Sequence, residues 1–385
     1  MSSAVQQLTS LVHARDRYDI PHAELRDKQV EAVNERFQER KGAIKLLALR
    51  ARQAGLEEVR SLEDIVPLLL PHTAYKSYPE SFLIDEKWDK LGKWLDTVST
   101  YRVPLQDPSR FDGIDDWLAH LEQDGIFVSC SSGTTGKSAM LVASKQDMEW
   151  CQVEAVAAYS WGSGVKPARD RRIFGLAPVA RVPRNVYTGE AYRAALQTPD
   201  HPPFDYPVPP LTVGSLTQMI VLRKKIADGT ATPGELESYE KTSAERQKMM
   251  DDAVGIAARA IVEARHDRLH VTGMWASLYN VAKVVREMGY SAKDFHPENS
   301  FYVGGGLKRA VLPDDYREFV YETFNISPDR NYQNYSMQEL QSGMPRCQKG
   351  NRYHLPPWVV PLILDKSGDN LLPISDEEYE GRAAF

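Results

Sequence analysis

Residue types able to do chemistry are densest in Ser129-Cys130-Ser131-Ser132-Gly133-Thr134-Thr135-Gly136-Lys137-Ser138. Glycines at this spacing permit positive φ and let main-chain N–H groups come close to a ligand. Hydroxyls and one lysine surround them, and no acidic residue is present. Such a set binds anions, phosphate above all. Gly, Ser and Thr also mark ordinary surface turns, but a turn has no use for so many donors. The end of the stretch, Gly133 to Ser138, reads like the close of a G-x-x-x-x-G-K-[ST] loop, whose first glycine would have to stand where this chain has Ser131. That spacing counts against a P-loop NTPase.

Two later groups add to the first. Gly304-Gly305-Gly306-Leu307-Lys308 follows an expected strand, and a glycine triplet there permits a flat main-chain surface against which a purine ring can lie. Asn334-Tyr335-Ser336-Met337-Gln338-Glu339 offers an aromatic platform and a hard carboxylate of the kind magnesium prefers. Read alone, Tyr335 could equally be a core aromatic and Glu339 a solvated helix residue. Cys347 and His354 are a soft ligand pair that zinc would accept, but no close Cys/His pair completes a set. The chain has no H-E-x-x-H and no G-x-S-x-G, so neither a zinc hydrolase nor a serine nucleophile at 131 or 132 has support.

Ser131 to Lys137 resembles the phosphate loop of the acyl-adenylate-forming superfamily, most of all its phenylacetate-CoA ligase and acyl-protein synthetase branch, with Ser138 where that family has Pro. Ser61 to Ile65, Leu70-Pro71 and Lys76 are similar to the stretch preceding that branch's core, and the resemblance continues through Tyr353 to Trp358 and an expected strand over Val359 to Leu364. The resemblance implies that Ser131, Ser132, Gly133, Thr134, Thr135, Gly136 and Lys137 hold phosphates and that Gly304, Gly305, Gly306, Asn334 and Tyr335 flank the adenine. It further implies that Glu339 holds magnesium, and that Gln338 stands in for a threonine contacting the α-phosphate. Lys137, Gln338 and Glu339 would then be the catalytic residues. The family's His or aromatic near residue 180 is missing, which leaves Arg181 and Arg184 as candidates for its place.

The activity so implied is ATP- and magnesium-dependent conversion of a small carboxylic acid to acyl-AMP, with pyrophosphate released. The acyl group then passes to CoA, an acyl-accepting protein or another nucleophile. The alternative is a catalytically silent nucleotide-binding scaffold. Tyr379 to Phe385 resembles the strand before the family's ribose-binding Asp, hinge and lid, none of which follows here. The expected fold is therefore α/β, with mixed sheets covered by helices in the subdomains of an adenylate-forming large domain and the C-terminal lid domain absent. A deliberately shortened chain of that kind is expected to bind its ligands with little turnover.

The elements that must position these residues can be read along the chain. With 385 residues, 42% of them hydrophobic, it can bury a large core, and its net charge of -6 argues against a nucleic-acid partner. Three scattered cysteines suit a reducing compartment, and no apolar run reaches the length of a membrane span or a leader, so a cytoplasmic location is expected. Residues 1–100 read as a helical region, with one charged helix from Pro21 to Ala54 capped by Gly55 and a short one opened by Ser61-x-x-Asp64. Residues 101–385 read as the α/β core. There, short strands over 125–128 and 139–143 flank the polar loop, and Met148, Cys151, Ala155 and Tyr159 share the inner face of the following helix. A strand at 172–177 leads to an irregular loop over 178–183 and a proline-rich connection over 198–210; helices follow at 216–227 and 234–265. Strands at 270–272, 300–303 and 331–335, alternating with helices at 276–288 and 315–324, predict a parallel or mixed sheet with ligand loops at its strand ends.

Overall fold

The computed structural model describes residues 2–131, 137–304, 306–307, 310–373, 378 and 380–385. Five helices come first: α1 (Ala4–Ser10), α2 (His22–Arg40), α3 (Lys45–Ala54), α4 (Ser81–Ile84) and α5 (Trp88–Val98). They are followed by α6 (Ile114–Gln123), β1 (Ile126–Cys130), β2 (Met140–Ser144), α7 (Lys145–Ser163), β3 (Arg172–Gly175), α8 (Pro183–Leu196), α9 (Val213–Ala227) and α10 (Pro233–Glu263). The chain continues through β4 (Leu269–Gly273), α11 (Trp275–Glu287), β5 (Ser300–Val303), α12 (Tyr316–Phe324), β6 (Asn331–Tyr332), β7 (Asn334–Tyr335), β8 (Met344–Pro345), β9 (Leu362–Leu364) and β10 (Arg382–Ala384). This is an α/β protein containing a parallel sheet, as the alternation of strands and helices predicts. Contacts divide it into two units. One comprises Met1–Asp147, Gln338–Ser342 and His354–Phe385; the other comprises Met148–Met337 and Gly343–Tyr353.

In the first unit the expected helix from Pro21 to Ala54 is two helices. Lys41-Gly42-Ala43-Ile44 interrupts it, and a glycine at the break removes a good part of the helical preference. Gly55 caps α3 at φ 67, the left-handed conformation that glycine adopts without a Cβ penalty. The opening at Ser61 folds as a 3-10 turn over Glu63–Leu68, where the Asp64 carboxylate accepts from the backbone N–H groups of Arg60 and Ser61. Phe37, Ala51, Val59, Leu62, Ile65 and Leu362 pack into one buried cluster that joins α2 and α3 to β9. β9 pairs antiparallel with β10, a strand that falls within the stretch from Tyr379 to Phe385 expected to form one. β1 and β2 form an antiparallel hairpin running from the Ile126–Ser144 pair to the Cys130–Met140 pair, which places both strands predicted around the polar loop.

The second unit is built on a four-stranded parallel sheet in the order β3-β4-β5-β6. Strand pleating sorts its residues between two faces. Leu269, Val271, Phe301 and Val303 enter a large apolar core with Ala257, Ile261, Leu278, Val281, Val320 and Phe324 of α10, α11 and α12. The alternate residues meet α7 and α8: Tyr159 lies edge-on to His270 and to Tyr332, and Tyr192 to Tyr302. Met148, Cys151, Ala155 and Tyr159 are all buried, as the helical spacing of α7 predicts, so Cys151 is a packing residue. The strand expected over 331–335 is two strands in different sheets, β6 beside β5 and β7 beside β8, with Gln333 between them. Residues 178–183 are irregular as expected, but α8 starts at Pro183, a helix N-terminus that the proline itself permits.

Gly162 of α7 lies directly against Tyr332, where a Cβ would sit 2.8 Å from the ring of that fully buried side chain. Gly162→Ala is therefore expected to destabilise the protein by about 1–2 kcal/mol, the overpacking cost less alanine's helical preference. A lower urea midpoint with an unchanged m-value would show it.

Candidate functional site

The polar loop is the connection of a hairpin. Beyond the Cys130–Met140 pair the strands are held by one more rung: Ser131 N–H donates to the Ala139 carbonyl at 3.1 Å, and Ala139 N–H donates to Ser131 Oγ at 2.9 Å. Ser131 is thus spent partly on closing the hairpin. Ser132, Gly133, Thr134, Thr135 and Gly136 lie outside the described residues.

Tyr78 grips the downstream leg of that loop. Its ring is fully buried, its hydroxyl donates to the Ser138 carbonyl at 2.7 Å, and Trp94 packs against it edge-on at 4.9 Å. The Lys137 ammonium donates to the Tyr78 carbonyl and lies 4.2 Å from the centre of its ring. Burial pushes the Tyr78 phenol well above the usual tyrosine range, so it stays a hydrogen-bond donor. Sequence reasoning missed Tyr78; its only sign was proximity to Lys76 in the stretch before the core.

Gln338 and Glu339 belong to the first unit, as do Ser131 and Lys137. They line a cavity of about 350 Å³ together with Met140, Leu141 and Val142 of β2. Met140 is the last paired residue of β2 on the side of the hairpin connection, so the cavity that Glu339 lines includes that end of the strand. Tyr75 lines the same cavity, and its phenol is pushed up by burial first and by the Glu339 charge second. Gln338 Oε1 is buried without a hydrogen-bond partner among the described residues. Asp147 also reaches the cavity, but its carboxylate already accepts from Ser144 N–H, Ser144 Oγ and the Tyr101 hydroxyl at 2.7, 2.8 and 3.1 Å.

The remaining predicted residues belong to the second unit. Gly304 N–H donates to the Gly273 carbonyl at the end of β4, and a Cβ on Gly304 would meet open space. Gly306 has φ 58, a left-handed conformation that suits glycine, while Gly305 lies outside the described residues. Tyr335 is 47% exposed on β7, its ring 6.2 Å from that of Tyr353, so it is a surface aromatic and not a core one. Asn334 accepts from the Tyr302 hydroxyl at 3.2 Å and packs against Gly343. Arg181 is exposed; Arg184 is buried and donates to the Met337 carbonyl at 2.5 Å.

The two residues weighed for zinc each have another partner. Cys347 Sγ accepts from Gly350 N–H at 3.1 Å in the second unit. In the first, His354 Nδ1 lies 2.6 Å from the Tyr18 carbonyl, which can only accept, so the ring nitrogen donates. Among the described residues no cluster of three His, Cys, Asp or Glu could hold a metal unaided, and no helix is long and apolar enough to cross a membrane. Magnesium makes the smaller demand of one or two carboxylates plus phosphate oxygens and water. Glu339, facing a cavity with no hydrogen bond or ion pair among the described residues, fits that demand.

No protein-family model and no curated protein matches the chain. Among solved structures it is similar to the amide bond synthetase McbA from Marinactinospora thermotolerans, at 16% identity over 97% of this chain and 68% of that one. The TM-score is 0.35, which leaves the two folds without an established correspondence.

Proposed function

We propose that this protein binds ATP with magnesium and activates a small carboxylic acid as acyl-AMP, and that CoA or another nucleophile then receives the acyl group. One observation supports the reading: Gln338 and Glu339 line a cavity with Met140, which pairs with Cys130 at the end of the hairpin that carries Ser131 and Lys137. In the first step a substrate carboxylate oxygen bonds to the α-phosphorus while the bond from that phosphorus to pyrophosphate breaks. In the second, the nucleophile bonds to the acyl carbon and AMP leaves with the electron pair of the broken C–O bond.

Little covalent chemistry falls to the side chains, because aligning two anions and stabilising charge on the phosphates are the main demands. Lys137 and the hydroxyls of Ser131 to Thr135 are assigned the phosphate oxygens, and Gln338, whose amide can donate, the α-phosphate. Glu339 would hold magnesium, which when bound offsets the charge of the triphosphate. Tyr335, exposed on β7, and the open main chain at Gly304 suit an adenine ring.

Pyrophosphate exchange, screened over aryl, fatty and amino-acid-like acids, tests the proposal. Exchange above background with one class supports it. Tight ATP binding with no exchange for any acid would favour the second reading, a silent nucleotide-binding module; release of inorganic phosphate would sink both.

A further inference from the structure

The cavity in front of Glu339 has a second wall that no motif predicts. Arg36 and Arg40 of α2 line it, and a spacing of four residues puts both guanidiniums on one helix face. They share one counter-charge: Glu39 lies 2.8 Å from Arg36 and 3.4 Å from Arg40, while Arg40 also donates to Thr100 Oγ1 at 2.9 Å. Two cations against one carboxylate leave this wall net positive, and each guanidinium has five N–H donors to distribute. Glu339 lines the same cavity, as does Asp147, whose carboxylate accepts from Ser144 and Tyr101. A bare anion would be repelled by Glu339 and a bare cation by the arginines. A metal-bound polyphosphate satisfies both walls.

We propose that Arg36 and Arg40 bind the β- and γ-phosphates of the nucleotide, the part that departs as pyrophosphate, in the cavity whose Glu339 carboxylate would hold its metal. This rests on the nucleotide reading given above. Planar guanidiniums suit the task because they bind phosphate oxygens in pairs with fixed geometry. It also gives the helical N-terminal segment a part in the reaction, where its sequence reads only as a charged helix.

Calorimetric titration of the whole chain with MgATP, MgAMP and magnesium tripolyphosphate tests this, comparing wild type with Arg36→Met, Arg40→Met and the double variant. Each single change is expected to weaken ATP and tripolyphosphate about tenfold and AMP less than about twofold. Arg40→Lys, which keeps the charge, should recover part of the loss. ATP binding that ignores both substitutions would overturn the proposal and leave the nucleotide reading standing. Equal weakening of ATP and AMP would also overturn it, since that is what general damage to the fold produces. A wild-type chain that binds neither ATP nor tripolyphosphate would remove the nucleotide reading and this proposal together.

Discussion

Glu339→Gln is expected to abolish the dependence of ATP binding on magnesium, at a cost of about tenfold to a hundredfold in affinity for MgATP. The substitution keeps the shape of the side chain and removes its charge, so the cavity beside β2 should be preserved. A hard cation loses its anionic oxygen there and gains only a neutral carbonyl. The measurement is a pair of dissociation constants for each protein, one with magnesium and one with excess chelator. In the wild type the two should differ widely. In the variant they should converge, and a gap of unchanged size would show that the metal is held elsewhere. The other carboxylate lining the cavity among the described residues, Asp147, has its Oδ2 accepting from Ser144 and Tyr101.

The second large effect concerns stability. His270 is fully buried on β4, its Nδ1 3.0 Å from the Tyr159 hydroxyl and 3.2 Å from Ser300 Oγ. Burial first, and the nearby Arg171 charge second, pull its pKa down to about 3. In the unfolded chain the same ring titrates near its ordinary value of about 6.5. Above that pH neither state is protonated and no penalty exists. As the pH falls below it, the unfolded state takes up a proton that the folded state refuses, and stability drops by about 1.4 kcal/mol per unit.

By pH 4.5 the expected loss relative to pH 8 is about 2–3 kcal/mol from this residue. Urea unfolding of the wild type and of His270→Gln between pH 8 and 4.5 checks it. Glutamine cannot titrate, so the variant's curve should be flatter across that interval whatever its absolute stability. Parallel curves would mean that the ring is protonated inside the fold. Stopping at pH 4.5 keeps the comparison clear of Asp365 and Glu235, whose carboxyls are held low by their hydrogen bonds and add acid sensitivity further down.

What could be read from the sequence follows the range of the interactions responsible. The hairpin strands, the inner face of α7 and the sheet strands at 270–272 and 300–303 have local signatures, a period of two or 3.6 residues bounded by turn residues, and they form where that pattern puts them. The break at Gly42 is hidden because Phe37 and Ile44 keep a seven-residue spacing across it, and the split at Gln333 falls in a five-residue run too short to show a period. α8 lacks a clear apolar stripe, so periodicity gave it no signal. Around the candidate site the limit is different. Ser131, Lys137 and Glu339 could be named because glycine, lysine and carboxylate types cluster in recognisable order. Tyr75, Tyr78, Arg36 and Arg40 come from 60 or more positions upstream of the loop's end, and only the folded chain brings them to the cavity or to the loop.

The seat that Lys137 takes on Tyr78 has a bearing on ionic strength. A phosphate that recruits this ammonium must displace it from an aromatic face and a carbonyl oxygen, so any affinity gained through it is a difference between two attractions. Dissolved salt screens the exposed attraction, toward the phosphate, far more than the one formed inside the protein. Concentrated electrolyte therefore returns the lysine to its ring.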